Sequence, residues 1–484
     1  MKKTVAQGTF YLTISQAFAL ICGYALHITL GRVLGPSHYG LFGFVISLLV
    51  WLEITLGGVS GAAIKKVAES PFFTKVIEKK AIYLQSLVAI ILFVLAFSFS
   101  PFLSRIFNDP KIDVYFKIAI LDIPILAFYN IYIALLNGSR FYKQQAIASI
   151  VYFFSKLIFV VGLVLLGLSV AGALIGNIMA SVFGFLVGFY YFRELIGGTE
   201  EVDINDTVKT VKSFGLLKLA VPFAIVGLLF NLLMSIDLWF VKEIVLSAPK
   251  VGYYVAASTL AKVLYFLFGA LSSALFPAIT NSIAEGRIEQ TKRYINQALR
   301  FLLLFLVPIS FVMAVTSTNL VSLLYSQRYL AAGSPLAILA FGYAFISILL
   351  AILSILMANN NFKEVIILAS FLVLADAGLC MSLISHYGLS GAAMATTLTC
   401  LVGVILGASL LWKNFATLVS PQSVFKILIS SLVISFIFIM VPATGLNLTI
   451  LYVVAALAYM GLLVLFKEIK SEDILILKGL IEKS

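Results

Sequence analysis

AIASIVYFFSKLIFVVGLVLLG, residues 146–167, is an apolar run interrupted by one charge, Lys156, near its middle. The hydrocarbon core of a bilayer is about 30 Å thick, so about 20 consecutive apolar residues in a helix cross it once. This run meets that length, and it has many companions. Comparable runs lie near 8–30, 40–60, 81–102, 114–136, 170–192, 215–238, 252–276, 297–318, 333–357, 364–386, 389–411, 424–442 and 446–466. They predict an all-α polytopic membrane protein with about 14 transmembrane helices, because hydrocarbon tolerates only backbones that satisfy their own hydrogen bonds.

Composition points the same way. Hydrophobic residues make up 62% of the chain and charged ones 11%, with a mean hydropathy of +1.10, values that exclude an ordinary soluble domain. A net charge of +12 would suggest nucleic acid in a soluble protein. Here the basic residues sit in short loops where membrane-lipid headgroups account for them, so no nucleic-acid partner is expected. The first run is long and lacks a small-residue cleavage site, so it reads as a first helix and not a signal peptide. Cys22, Cys380 and Cys400 all fall inside apolar runs, which argues against a disulfide framework or a cysteine metal site.

Loop charges set the expected orientation. With the N-terminus inside, one face collects 24 Lys and Arg and the other only seven, the latter including Arg32, Arg105 and Arg328. Both termini are therefore expected to be cytoplasmic, in a multi-pass protein of the cell membrane. The longest loop, about 193–214, carries EEVDINDTVK and reads as a linker between two halves. Stretches 61–80 and 281–300 look like interfacial amphipathic segments in equivalent places, and 467–484 like a short amphipathic tail helix.

The halves resemble each other. RVLGPSHYGLFGF (32–44) aligns with KEIVLSAPKVGYYVAAS (242–258) at an offset of 212. SRFYKQQAIAS (139–149) aligns with NNNFKEVIILAS (359–370) at 220, and GLSVAGALIGNIMAS (167–181) with GLSGAAMATTLTC (388–400) at 221. Ordered matches at a nearly constant offset point to a duplication of six helices. The expected domains are thus an N-terminal six-helix lobe (1–200), a C-terminal six-helix lobe (201–412), and a remainder (413–484) with helices 13 and 14. An even number of helices per repeat gives both lobes one orientation, related by an axis along the membrane normal with a substrate cavity between them.

RVLGPSHYGLFGF, SIDLWFVKEIV, VGYYVAAS and LFPAI together resemble the polysaccharide-transport family, which includes the O-antigen flippases. That family belongs to the multidrug/oligosaccharidyl-lipid/polysaccharide flippase superfamily, and the similarity runs over roughly residues 1–465. The resemblance implies two six-helix lobes arranged as a V around a central cavity. It also implies movement of polyprenyl-(pyro)phosphate-linked oligosaccharide from the inner to the outer leaflet by alternating access, driven by a cation or another gradient. Membrane lipids and other polysaccharide-assembly membrane proteins are the implied partners; no cofactor is implied beyond Na⁺ or H⁺ as coupling ion.

Such cargo needs cations for its phosphate, and ionisable residues at mid-membrane are costly enough to mark functional positions. The candidates are Glu53, Asp122, Lys156, Asp237, Lys262 and Asp376. Lys156 and Lys262 lie near the middle of their spans, in opposite halves, and suit phosphate contact; the competing reading is a buried ion pair with a carboxylate such as Asp122 or Asp376. Arg32 offers a release-side contact or meets lipid phosphate. Asn231, Asn130 and Gln144 either line a polar cavity or satisfy a neighbouring helix. Asp237 reads more readily as holding the turn between helices 7 and 8, through Lys242 or a backbone amide, than as touching substrate. Asp376 falls at the repeat position equivalent to Lys156, so the two suit a gating pair. Alternatively Asp376 with Thr396 or Thr397 binds Na⁺, as the resemblance to lipid II flippases implies. Proton coupling through Glu53, Asp122 or Asp376 is equally open. Pro124, Pro222, Pro277 and Pro308 mark expected kinks, and the glycines of GLSVAG and GLSGA tight turns.

Two other classes compete. A cation-coupled small-molecule (multidrug) exporter shares the fold but has no use for cavity lysines. A membrane-embedded polysaccharide polymerase or glycosyltransferase would need a large loop or acidic and His clusters; three His and no DxD or HExxH pattern argue against an enzyme.

Overall fold

A computed structural model describes residues 2–70, 73–196, 225–441 and 445–468, without the side chains of 2–6, 9, 267–277 and 446. Most of the expected linker (197–214) and almost all of the expected tail helix lie outside the described residues; residues 193–196 end α6. Every regular element described is helical. In chain order these are α1 (Lys2–Glu69), α2 (Thr74–Ile106), α3 (Pro110–Ile120), α4 (Asp122–Gly138), α5 (Tyr142–Leu163), a wider π-type turn at Val164–Leu168, and α6 (Ser169–Ile196). Then come α7 (Ile225–Leu233), α8 (Ile236–Ile244), α9 (Ala248–Ala284), α10 (Ile288–Val315), α11 (Ser317–Tyr325), α12 (Gly333–Ala358), α13 (Phe362–Tyr387), α14 (Leu389–Phe415), α15 (Pro421–Met440) and α16 (Leu446–Leu465).

Among the described residues ten helices are long and apolar enough to cross a membrane, or eleven if the bent pair α7–α8 is one span. The expected count of fourteen therefore differs from the count of helices. Part of the difference is that two of the ten apolar helical stretches exceed one crossing, Phe10–Glu69 at 60 residues and Tyr142–Ile196, which runs from α5 through the π-type turn into α6, at 55; each is interrupted by a glycine at positive φ, Gly35 (70°) and Gly167 (93°). Outward faces are apolar: Leu95, Leu166, Leu374, Leu457 and Leu465 are all exposed, as lipid-facing side chains should be. This is a multi-pass membrane protein. Each of the stretches 61–80 and 281–300 holds the end of one long helix and the start of the next: α1 to Glu69 and α2 from Thr74, α9 to Ala284 and α10 from Ile288.

The chain forms two compact units that divide between Asn231 and Leu232. In the first, α1 packs on α4 and α5, and α6 packs on both. Its α6 carries Gly172, Gly176, Ala180, Gly184 and Gly188, one small residue every fourth position, the spacing that lets helix backbones approach closely in a membrane. A Cβ at Gly176 would sit 2.6 Å from the Val160 backbone nitrogen, and one at Gly184 would sit 2.9 Å from the Tyr129 ring.

In the second unit α12 packs on α9 and α14, and α14 on α13. The last two helices lie on α10 through Phe301, Leu304, Ile427, Ile434, Tyr459 and Leu463. Polar ties recur along α10 and α16. The Arg300 Nε donates to Glu468 Oε1 at 2.9 Å, Tyr459 OH donates to the Leu304 carbonyl at 2.8 Å, and Thr316 and Tyr452 share a hydroxyl contact at 2.7 Å.

Gly176→Ala should lower thermal stability by about 1–3 kcal/mol, because its Cβ meets backbone that cannot step aside. Gly162→Ala, where nothing lies within 4 Å, should be neutral or stabilising by up to about 1 kcal/mol. Unfolding of the two purified variants in detergent measures the contrast.

Candidate functional site

Each unit holds its own buried polar cluster. In the first, Pro124 lacks an N–H for the Ile120 carbonyl, and the helical run breaks at Leu121. Asp122 therefore stands in the first turn of α4, fully buried, where the helix dipole favours an anion. Asn177 Nδ2, on α6, donates to Asp122 Oδ2 at 2.6 Å. Asp122 lies within electrostatic range of Glu53 on α1 and of Lys156 on α5, and Glu53 in turn of Lys156. The Lys156 ammonium sits 5.7 Å from the centre of the Tyr152 ring one turn back, and Tyr152 stacks on Tyr129 at 4.7 Å. Ser181, one turn along α6 from Asn177, adds a hydroxyl contact to Asp122, and Asn177 Oδ1 takes no hydrogen bond.

Helices α7 and α8 are bent by 42° to one another. Asp237 stands just after this break, in the first turn of α8 and in the second unit. Its carboxylate is well supplied with donors: Leu238 N at 2.7 Å, Tyr254 OH at 2.5 Å and Thr396 Oγ1 at 3.4 Å, with Lys262 of α9 in electrostatic range. The Tyr254 bond ties α8 to α9. Asp376 on α13, also fully buried, is worse served. Thr399 Oγ1 donates to its Oδ1 at 3.4 Å, Cys380 Sγ lies 4.0 Å from the same oxygen, and Oδ2 takes no hydrogen bond. Asp376 and Asp237 are within electrostatic range of each other.

Six sequence candidates thus fall into two groups of three: Glu53, Asp122 and Lys156, and Asp237, Lys262 and Asp376. Each group has two carboxyl groups and one lysine. The competing reading of the lysines as partners of buried carboxylates fits both groups, with Asp237 rather than Asp376 beside Lys262. Lys156 and Asp376, the expected gating pair, belong to different units, and each has partners within its own. Thr396 joins the second cluster through Asp237. Thr397 does not, since its hydroxyl donates to the Ile338 carbonyl at 3.1 Å. Asn231 donates to Gly227 of its own helix at 3.0 Å, and Arg32 is exposed.

Sequence reasoning missed Asn177, Ser181, Tyr254 and Thr399. All four lie inside GLSVAGALIGNIMAS, VGYYVAAS and GLSGAAMATTLTC, where they were aligned for the duplication but not weighed as partners for the acids.

The family model described as polysaccharide biosynthesis protein matches residues 5–283, more than half of the chain. The chain belongs to that family. A second model, MatE, matches residues 222–375, which places the family within the multidrug/oligosaccharidyl-lipid/polysaccharide flippase superfamily. The "Putative O-antigen transporter" of Shigella flexneri is 23% identical over 399 residues, covering 78% of this chain and 90% of the relative. The fold is similar to that of a lipid II flippase MurJ, solved in an inward closed conformation, at a TM-score of 0.73 and 17% identity, covering 96% of this chain and 99% of that one. It is also that of an inward-facing multidrug resistance MATE family transporter, at 0.66 and 17%, covering 84% and 98%. These relatives are transporters and flippases, not enzymes.

Replacing Tyr254 by Phe should destabilise the protein by about 1.5–3 kcal/mol, because the buried Asp237 carboxylate loses a donor. Asp237→Asn in that background should recover part of the loss, which a double-mutant cycle on unfolding measures.

Proposed function

We propose that this family member is a flippase that moves polyprenyl-(pyro)phosphate-linked oligosaccharide from the inner to the outer leaflet of the cell membrane. The family match and the O-antigen transporter relative support the cargo class, and the MurJ fold supports flipping of a lipid-linked saccharide. The observation that carries the reading is the lysine in each unit. Lys156 and Lys262 are half-buried ammonium groups on membrane helices, each held by carboxylates that offset the cost of placing it there. An anionic phosphate can exchange with those carboxylates as the partner of the lysine. Arg32 serves as a release-side contact, and Asn231 completes the polar lining. The transport cycle is alternating access with both termini cytoplasmic, and the partners are membrane lipids and other polysaccharide-assembly membrane proteins.

A coupling cation fits the acids. Asp376, with an oxygen free of donors, together with Thr396 and Thr399, is the candidate Na⁺ site of the second unit, and Glu53, Asp122 and Asp237 are the further coupling carboxylates. The second reading, a cation-coupled multidrug exporter, is favoured by the MatE match over 222–375 and by the MATE-like fold. It has no need of the lysines, and this separates the two.

In flippase-deficient cells, the wild type should restore surface polysaccharide, while Lys156→Ala and Lys262→Ala at equal protein levels should each lower it about tenfold or more. Full restoration by both variants would sink the phosphate-contact reading. Drug resistance conferred by the wild type without surface polysaccharide would favour the exporter.

A further inference from the structure

Glu78, 4% exposed near the start of α2, is a buried acid that the transport site does not use. Tyr132 of α4 donates to its Oε1 at 3.0 Å, and Arg193, in the last turn of α6, places a guanidinium nitrogen 3.7 Å from the same oxygen. Three helices therefore meet at one carboxylate. They meet at one end of the first unit, where Ala63, Ile77, Leu136, Phe192 and Ile196 share a single apolar cluster.

Arg193 is held there without being covered. Its side chain is 55% exposed, and its guanidinium lies 5.1 Å from the centre of the Phe189 ring one turn back. A guanidinium has five N–H donors, and one braced by an acid and by an aromatic face keeps several of them for an outside partner. Because the side chain is already ordered, such a partner binds without the usual entropy cost of fixing a free arginine.

The surroundings select the partner. Residues 65–80, 140–143 and 193–194, at the ends of five helices, hold eight Lys or Arg and three Glu, one of which is the buried Glu78. Lys79 and Lys80 follow Glu78 directly and are exposed. One turn further into each apolar helix stands an exposed tyrosine, Tyr83 on α2 (73%) and Tyr190 on α6 (61%). Beyond these the exposed side chains are aliphatic or aromatic, Leu87, Ile90 and Ile91 on α2 and Phe183 and Leu186 on α6. Cations, then tyrosines, then apolar side chains match in order the phosphate, interfacial and acyl layers of a phospholipid. A soluble anion or an acidic protein surface would meet the cations but leave the apolar strip unmatched.

We propose that Arg193, positioned by Glu78 and Tyr132, is the centre of a binding site for the phosphate of an anionic phospholipid, with Lys79 and Lys80 beside it and the acyl chains along α2 and α6. The lipid belongs to the inner leaflet in the orientation proposed above. The site uses none of the residues assigned to cargo or coupling, and it stands whatever the cargo is. A bound headgroup links the end of α6 to the start of α2.

The test measures ¹⁴C-phosphatidylglycerol retained by the purified protein in detergent micelles that contain a fixed excess of phosphatidylcholine. Wild-type protein should retain phosphatidylglycerol saturably. R193Q should need about fivefold more lipid for half-saturation, the worth of one interfacial cation, and K79Q together with K80Q about tenfold more. E78Q keeps an acceptor for the Tyr132 hydroxyl but removes the charge that competes for Arg193, so it should need about threefold less. K292Q, which neutralises a lysine of the second unit paired with Glu289 at 2.9 Å, should bind like wild type. The proposal is overturned if wild-type protein retains phosphatidylglycerol no better than phosphatidylcholine, or if folded R193Q binds like wild type. It is also overturned if K292Q weakens binding as much as R193Q, which would mean general attraction to a basic protein. Displacement of the lipid by millimolar inorganic phosphate would assign the site to a soluble anion and overturn it as well. Should R193Q fail to fold, the double lysine variant decides in the same sense.

Discussion

A carboxylate inside a membrane protein must be given donors, a counter-charge or a proton, and that requirement organises both units. Asp237 has the donors: a backbone amide, the Tyr254 hydroxyl and Thr396, with Lys262 in electrostatic range. Asp122 and Asp376 are supplied by side chains alone, Asn177 and Ser181 for the first and Thr399 for the second. Much of the local geometry serves these three acids. The break before α4 and the break before α8 each place an aspartate in a first helical turn, where exposed N–H groups and the helix dipole favour negative charge. Helix packing then supplies the remaining partners from neighbouring elements.

Close packing makes that supply possible. Association of helices in lipid gains nothing from hiding apolar surface, so it depends on backbone approach, which small residues allow. The four-residue stripe on α6 brings its backbone against α5, and the adjacent stripe, one residue further along the chain, carries Asn177 and Ser181. In the second unit Gly403 approaches Leu372 and Leu349, and the same α14 helix presents Thr396 and Thr399. Glycines set the distance, and polar residues next to them use it.

The parts legible in the sequence were those with local signatures. Apolar runs marked the helices, Pro124 marked the break before Asp122, and the glycines of the two GLS motifs marked turns that indeed take positive φ at Gly167 and Gly388. The isolated charges marked the clusters, because hydrocarbon makes each of them expensive. What stayed hidden depends on three-dimensional neighbours. Asn177 and Thr399 resemble the ordinary polar residues of membrane helices until a carboxylate is found beside them. The break between α7 and α8 has no Pro or Gly within it, so nothing local announced the bend just before Asp237. Merged helices at Gly35 and Gly167 likewise made the count of crossings differ from the count of helices.

The duplication adds a further constraint. Lys156 and Asp376 occupy equivalent positions at the offset of 220, with opposite charges. The sign inverts there, yet each unit ends with two carboxyl groups and one lysine. Matching residues alone would not produce that result, because the third member of each cluster comes from a different helix of the repeat, Asp122 from α4 and Asp237 from α8. The common quantity is the local charge balance, which burial in hydrocarbon penalises directly, whereas the identity of the residue at any one position is free to change provided its neighbours compensate. A search for functional residues in such a chain is then better guided by summed charge within a packed cluster than by position in the repeat.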